Sequence, residues 1–448
     1  MTWRQMDLRY RLKAYARAPI TFAKRVVLSR DPYWRQYFWN RWGYVPKRLS
    51  DGAQPTLWFD AQSLGEVNQL RGLITQLRHA VPTCRIIIST DEPSSFRIAQ
   101  ELGDVVFDNP WDLPGPVGRI LKTLHPDALV VVEDPMNPIR LREAQRYGVK
   151  TLLISGFFSD GWDRMPFMRR AMRLKALRYL DRVAAKTADD CAQMIAHGAP
   201  PDRVDVVGDL KWDVASIRRK ATNASALRDA CSVGWDERLV VVGSIHLKEM
   251  GWLLAAWQGV RRSSLVRLRL VLVPRWVEQA PLIARQVESQ GLPVVLRSRP
   301  IRPLPEEAVL VVDRYGELVS WYAIAWVAFL GASAMTSDPL WEGLSHDPIE
   351  ALSFGKPIFI GPNRTLRRSQ CEEIFSVWQG FRVDSPELFA QQLIMLARQP
   401  TLYEEVAAGL RRLAEREKDV VERYSAWLTE HLPQRSDADR QQLTGAYA

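Results

Sequence analysis

Residues 56 to 66 read Thr56-Leu57-Trp58-Phe59-Asp60-Ala61-Gln62-Ser63-Leu64-Gly65-Glu66. The first six form a short, continuously apolar run, and the remainder opens a segment of helical length. Continuous rather than alternating apolarity marks a strand covered on both faces, hence a parallel sheet with helices on each side. The same grammar recurs at 84–90 (CRIIIST), 127–133 (DALVVVE), 150–155 (KTLLIS) and 181–187 (DRVAAKT). It lapses over the polar stretch 214–237 and restarts at 238–243 (RLVVVG), 267–274, 308–312, 326–331 and 357–360. The pattern predicts an α/β protein of two doubly wound, Rossmann-like lobes, 51–213 and 238–400, joined by a linker at 214–237. Residues 401–430 read as one long amphipathic C-terminal helix and 431–448 as a polar tail with little to bury.

Composition agrees with this division. A chain of 448 residues suits two domains of ordinary size, and 47% apolar with 25% charged residues is globular. The four cysteines, Cys84, Cys191, Cys231 and Cys371, are widely spaced and form neither a disulfide framework nor a metal-ligand pair, which fits a reducing cytoplasm. With no apolar run of about 18 residues and no apolar signal core, the expectation is a protein that neither spans a membrane nor is exported by a signal peptide. The net charge of +10 is concentrated at one end: residues 1–50 hold twelve Lys or Arg against Asp7 and Asp31, leaving a neutral body. In this arm cations alternate with Trp3, Met6 and Tyr10, and then with Ile20, Phe22 and Val26. Such a stretch can lie on an anionic membrane surface, or pack as a helix on the protein's own body. Tyr33, Trp34, Tyr37, Phe38, Trp39 and Trp42 follow too densely for a free tail. No nucleic-acid recognition module accompanies the charge, so no nucleic-acid partner is expected.

Ligands of open α/β sheets bind at the carboxyl ends of the strands, so the residues just after each run are the candidates for chemistry. In Ser63-Leu64-Gly65-Glu66, Gly65 permits a tight turn and close approach of a ligand. Glu66 is placed at a helix start to take a proton from an incoming hydroxyl, in a turn expected to open into the cleft between the lobes. The same Ser-x-x-Glu spacing is also a capping box, in which both side chains merely satisfy backbone donors. In the second lobe, Ser244 and His246 follow the first strand and Arg275 the next, where backbone N–H groups and cations can face a phosphate. Gly316-Glu317 and Asp347-Pro348-Ile349-Glu350 begin helices; a carboxylate there can hold ribose hydroxyls, although acids are favoured in first helical turns for other reasons. No P-loop, no Gly-x-Gly-x-x-Gly fingerprint and no metal cluster occurs.

Taken together and in this order, the motifs resemble those of the 3-deoxy-D-manno-octulosonic acid (Kdo) transferases of lipid A biosynthesis, over roughly residues 33–400. Pro32-Tyr33-Trp34-Arg35 and Arg41-Trp42-Gly43 are similar to the end of that family's membrane-proximal segment, and Ser63-x-Gly65-Glu66 to its catalytic turn. Gly208-Asp209-Leu210-Lys211-Trp212-Asp213 resembles its Gly-Asn-Leu-Lys-Phe-Asp, Pro274-Arg275 its Pro-Arg-His, and Gly316-Glu317-Leu318 its Gly-Glu-Leu. His346-Asp347-Pro348-Ile349-Glu350 resembles its His-Asn-Pro-Leu-Glu, and Gly355-Lys356-Pro357 continues the match. The resemblance implies a GT-B fold with the acceptor lobe first, the CMP-sugar lobe second, and a last helix crossing back to the first.

It implies Glu66 as general base, Ser63, Gly65 and Glu133 at the turn or acceptor, and a CMP-binding set of Arg275, Gly316, Glu317, Asp347, Glu350, Lys211, Ser244 and His246, with neither metal nor other cofactor. The function it implies is inverting transfer of Kdo, or a related 2-keto sugar acid, from a CMP donor to a lipid A precursor by a peripheral protein at the cytoplasmic face of the bacterial inner membrane. The alternatives are a paralogue with another CMP-activated acid or acceptor, and a catalytically silent membrane-surface protein that keeps the fold. Departures from the family pattern fall at Asp60 and Trp276, where the family has His, at Asp347 for Asn, and at Glu133-Asp134-Pro135-Met136-Asn137-Pro138, where the family has Thr-Glu-x-Trp-Pro-Asn.

Overall fold

Thr56–Asp60 (β1) is an interior strand, third from one edge, of a seven-stranded, all-parallel sheet in the computed structural model, which describes Leu12, Ile20 and residues 32–46, 54–134, 137–158, 167–220, 222–263, 267–334, 347–363 and 368–432. Most of the basic arm, Pro135 and Met136, His346 and the polar tail fall outside the described residues. Alternate residues of β1 serve different cores: Leu57 and Phe59 join one cluster, Trp58 the cluster on the opposite face. All three are fully buried, each side chain contributing about 1.5–3 kcal/mol, which is why the run is apolar without alternation.

Around β1 lie Arg85–Thr90 (β2), Val105–Asp108 (β3), Ala128–Val132 (β4), Lys150–Gly156 (β5), Arg182–Ala185 (β6) and Val204–Val206 (β7), in the order β3-β2-β1-β4-β5-β6-β7. A second parallel sheet contains Arg238–Ile245 (β8), Leu268–Pro274 (β9), Val294–Leu296 (β10), Val309–Val311 (β11), Val327–Leu330 (β12) and Ile358–Phe359 (β13), in the order β10-β11-β9-β8-β12-β13. The expected pair of doubly wound α/β lobes is present. The three strands that periodicity did not single out, β3, β7 and β10, are all at sheet edges and only three or four residues long. An edge strand has one neighbour, and so short a run presents little pattern to read.

The chain divides into two compact units, with boundaries at Val214/Ala215 and Lys418/Asp419, so that its last described helix belongs to the first unit. Val420, Val421, Tyr424, Trp427 and Leu428 of this helix, Val420–His431, join the core that holds Leu57 and Phe59. Tyr424 Oη donates to Gly208 O (2.7 Å) and accepts from Ser155 N–H (2.9 Å).

Two segments differ from expectation. The expected linker is largely helical: Lys211–Lys220 runs through its start, and Ala224–Cys231, capped by Asn223, buries Leu227 and Cys231 four residues apart. The expected single helix 401–430 is two, Pro400–Arg416 and Val420–His431, because Asp419 adopts the left-handed conformation (φ 63°) that an α-helix of L-residues cannot continue through. At the other end, Pro32–Tyr37 forms a helix and Phe38–Trp42 a 3-10 turn, with Tyr33, Phe38 and Arg41 buried. The rings of Tyr33 and Tyr37 lie 5.1 and 4.3 Å from Phe96. Gly43 closes the turn at φ 84°, where a Cβ would lie 2.2 Å from Pro116 O. Among the described residues no helix is long and apolar enough to cross a membrane.

Candidate active site

In the first unit the helix Leu64–Ala80 starts directly after the loop that follows β1, and Ser63 is its extended N-cap. Ser63 Oγ accepts the Glu66 N–H (3.3 Å) while its hydroxyl donates to Glu66 Oε1 (3.0 Å); Glu66 Oε2 accepts from Gln62 N–H (2.7 Å). The Ser63 half of the capping box therefore forms, while Glu66 takes the N–H of Gln62 rather than that of the N-cap, and together these bonds fix the rotamer of a carboxylate that is still partly exposed. Burial, and then the negative charge of Glu133, push the Glu66 carboxyl up to about 8, against the opposing hydrogen bonds from Gln62 and Ser63. A carboxyl poised near neutrality is suited to proton transfer. Gly65 is not needed for a tight turn: it lies within the helix, exposed, and a Cβ would meet only Ser63 Oγ at 3.8 Å. Its missing side chain leaves open surface next to Glu66.

Glu133 follows β4 in the left-handed conformation (φ 64°). Its Oε1 lies 2.7 Å from Lys186 Nζ, 2.9 Å from Lys211 Nζ and 3.1 Å from Gln69 Nε2. Lys186, 2% exposed, also reaches Asp209 Oδ2 at 3.2 Å and lies 4.8 Å over the ring of Phe157. Two carboxylates and two ammonium groups thus neutralise one another beside Glu66, as burial of charge requires. Lys211, grouped from the sequence with the CMP set, stands in the first unit with Glu133. Lys186 was not singled out at all; its one signal is that it closes the apolar run 181–187, where a lysine needs a partner.

Asp60, where the resemblance implies His, is wholly buried at the end of β1. It is ion-paired with Arg140 and accepts from Asn109 Nδ2 (3.0 Å). Arg140 in turn donates to Asn109 Oδ1 (2.6 Å) and Pro110 O (2.8 Å), with its guanidinium 5.8 Å from the Trp58 ring. Asp60 is therefore a held structural anion below the turn.

In the second unit, Ser244 adopts the left-handed conformation (φ 56°) and shifts the register between β8 and β9. Backbones pack tightly here: a Cβ on Gly331 would come within 2.4 Å of the carbonyl oxygens of Gly243 and Ser244. The buried Glu249 accepts the N–H groups of His246 (3.0 Å), Ala332 (2.8 Å) and Ala334 (3.0 Å). The His246 N–H expected to face a phosphate is thus taken by a carboxylate of the chain itself. The His246 ring is buried, edge-on to Trp276 at 4.9 Å, and pushed down to about 4 by burial and by Arg275. Arg275 is exposed, and its charge acts on both His246 and Glu350. Glu350 is raised by burial and opposed chiefly by its ion pair with Arg218, a partner the sequence did not suggest. Asp347 Oδ1 accepts the Ile349 N–H (3.1 Å), a helix-start role. Gly316 turns at φ 81°, and Glu317 binds Arg297 Nε (3.0 Å) and Trp321 Nε1 (3.3 Å). Arg275, His246, Asp347 and Glu350 thus form one neighbourhood. Glu317 is ion-paired with Arg297. Among the described residues no His, Cys, Asp and Glu side chains are grouped to hold a metal ion.

A family model described as 3-Deoxy-D-manno-octulosonic-acid transferase (kdotransferase) matches residues 36–214. The 3-deoxy-D-manno-octulosonic acid transferase of Chlamydia muridarum is 27% identical over 350 residues, covering 77% of this chain and 79% of its own. That of Bordetella pertussis is 28% identical over 344 residues, covering 74% and 76%. Among solved structures, the UDP-GlcNAc 2-epimerase of Neisseria meningitidis bound to UDP-GlcNAc superposes with TM-score 0.60 at 13% identity, over 84% of this chain and all of that one. A putative UDP-N-acetylglucosamine 2-epimerase from Listeria monocytogenes matches with the same TM-score and identity over 86% and 98%. At that identity the likeness shows the fold, which is GT-B.

Proposed function

Because the chain is a divergent member of the Kdo transferase family, and so a glycosyltransferase, we propose that it moves Kdo, or a closely related 2-keto sugar acid, from a CMP donor to a lipid A type acceptor with inversion. The observation that carries this reading is the setting of Glu66: a rigidly capped, partly exposed carboxyl held near 8 beside Glu133. Glu66 takes the proton of the acceptor hydroxyl as its oxygen attacks the anomeric carbon. The bond to the donor phosphate breaks on the opposite face, and CMP leaves with the electron pair. Arg275 meets the phosphate charge, Asp347 and Glu350 the ribose side, and the Glu133–Lys186–Lys211 cluster supports the acceptor end. Gly316 and Glu317, the latter held by Arg297, stand near the nucleotide. The substitutions at Asp60 and Trp276 favour a second reading within the same chemistry, a paralogue with another sugar acid or acceptor.

The test is incubation of the full chain with CMP-Kdo and a tetra-acylated lipid A precursor, reading mass added to the lipid. Addition of one or more Kdo units supports the proposal, and CMP binding without lipid product refutes it. The basic arm suits a peripheral site at the cytoplasmic face of the inner membrane, each cation near an anionic surface contributing about 1 kcal/mol. Removing residues 1–30 should then weaken binding to phosphatidylglycerol-containing liposomes, with the loss greatest at low salt. Unchanged binding would count against the membrane role.

A further inference from the structure

Arg41 lies in the 3-10 turn at the exit of the basic arm, yet its side chain is 7% exposed and points into the first unit. Its Nε lies 2.6 Å from Asp108 Oδ2, and its Nη2 lies 3.0 Å from Asp108 Oδ1 and 2.8 Å from Asp91 Oδ1. The guanidinium sits 5.8 and 5.4 Å from the rings of Trp34 and Trp111. Asp108 ends β3 and Asp91 follows β2, both on the carboxyl edge that carries the Glu66 turn. From Asp91 the bonding continues: its N–H donates to Gln62 O (3.2 Å), and Gln62 N–H donates to Glu66 Oε2 (2.7 Å). A side branch runs through Asn109 Nδ2, 3.5 Å from Asp91 and 3.0 Å from Asp60.

We infer that Arg41 is a positioning residue for Glu66, clamping the loops after β2 and β3 so that Asp91 holds Gln62, and Gln62 holds the carboxylate. This rests on the proposed role of Glu66. Stability alone gives no reason for such a fork, since a buried ion pair is commonly replaceable by apolar side chains. What an arginine supplies, and a lysine does not, is planar donors that bind two carboxylates from different loops at once. The arm segment is then a wall of the site as well as a tether. The other charged groups around Glu66 are Glu133, with Lys186 and Lys211 behind it, and Asp60, with Arg140 behind it. Arg41 bonds none of these directly: its carboxylate partners are Asp91 and Asp108.

The experiment compares Arg41→Gln and Arg41→Lys with the parent chain in the CMP-Kdo assay over about pH 6 to 10, with near-UV circular dichroism to establish the folded fraction. For Arg41→Gln the expected result is a kcat loss on the order of 100-fold, as for a displaced catalytic group, with KM for CMP-Kdo unchanged. The acid limb should also move to higher pH, because the loosened Gln62 N–H favoured the carboxylate. Arg41→Lys, which keeps the charge without the fork, should lose kcat and shift the limb in the same direction; it carries the test if Arg41→Gln fails to fold. Folded variants with the parent's kcat and limb overturn the inference. Glu66→Gln in the same assay separates the two failures. If it is active, the role of Glu66 is wrong; if it is inactive while the Arg41 variants match the parent, only the relay is wrong.

Discussion

Glu66→Gln should lower sugar transfer by about 10²- to 10⁴-fold, the usual range for a general base, while leaving binding of CMP nearly unchanged. The amide keeps its oxygen as the acceptor for Gln62 N–H and can turn its NH2 to donate to Ser63 Oγ, so the cap survives and the loss reads the proton transfer. The pH dependence carries a sign that can be checked. The base must be ionised, and Glu66 is pushed up to about 8, so the parent's rate should fall about tenfold per unit below pH 8. Linkage runs the other way. A carboxyl raised in the folded state contributes stability that is full below its ordinary value and lost as pH rises through about 8. Glu66→Gln has no charge to bury, so its Tm at about pH 9 should equal or exceed the parent's. A lower Tm there, or an acid limb near the ordinary carboxylate range, would mean that Glu66 is not held as described.

The largest effect on stability is expected at Arg140. Arg140→Ala leaves Asp60 buried and uncompensated at the end of β1, and should destabilise by about 3–5 kcal/mol in urea unfolding. Asp60→Asn combined with Arg140→Met removes both charges and should recover much of this, since a mutual pair gives a large coupling in a double-mutant cycle. Simple additivity of the two single changes would refute the pairing. Where the resemblance implies His, this chain has an acid that brings its own arginine from the helix Pro138–Arg146, eighty residues downstream.

Much of the architecture was legible because a parallel strand covered on both faces has nowhere to place a polar residue, and its apolar run shows in the chain. The candidate catalytic turn was legible only as a choice. Ser63-x-x-Glu66 fits a cap or a base, and in the folded protein the hydrogen bonds of the helix start also fix the Glu66 carboxylate, which leaves the proposed base role open to it. Lys186, Arg140 and Arg218 were not legible: each is a common surface residue type whose meaning lies in a carboxylate far away in sequence, Glu133, Asp60 and Glu350 respectively. Glu249 could have been found, since His246-x-x-Glu249 has the spacing of a cap, but the second use of its carboxylate on Ala332 and Ala334 could not.

By itself, then, the sequence determined the α/β class, the two sheets and the strand ends at which chemistry is possible, because local periodicity and burial are written in neighbouring residues. Only the tertiary structure decided which charges neutralise which. An ion pair depends on the distance between groups brought together by the sheet order, and that distance leaves no mark on the spacing along the chain. It set Lys211 beside Glu133, sealed Asp60 under Arg140, gave the His246 N–H to Glu249, and joined Arg41 of the arm to the turn that holds Glu66.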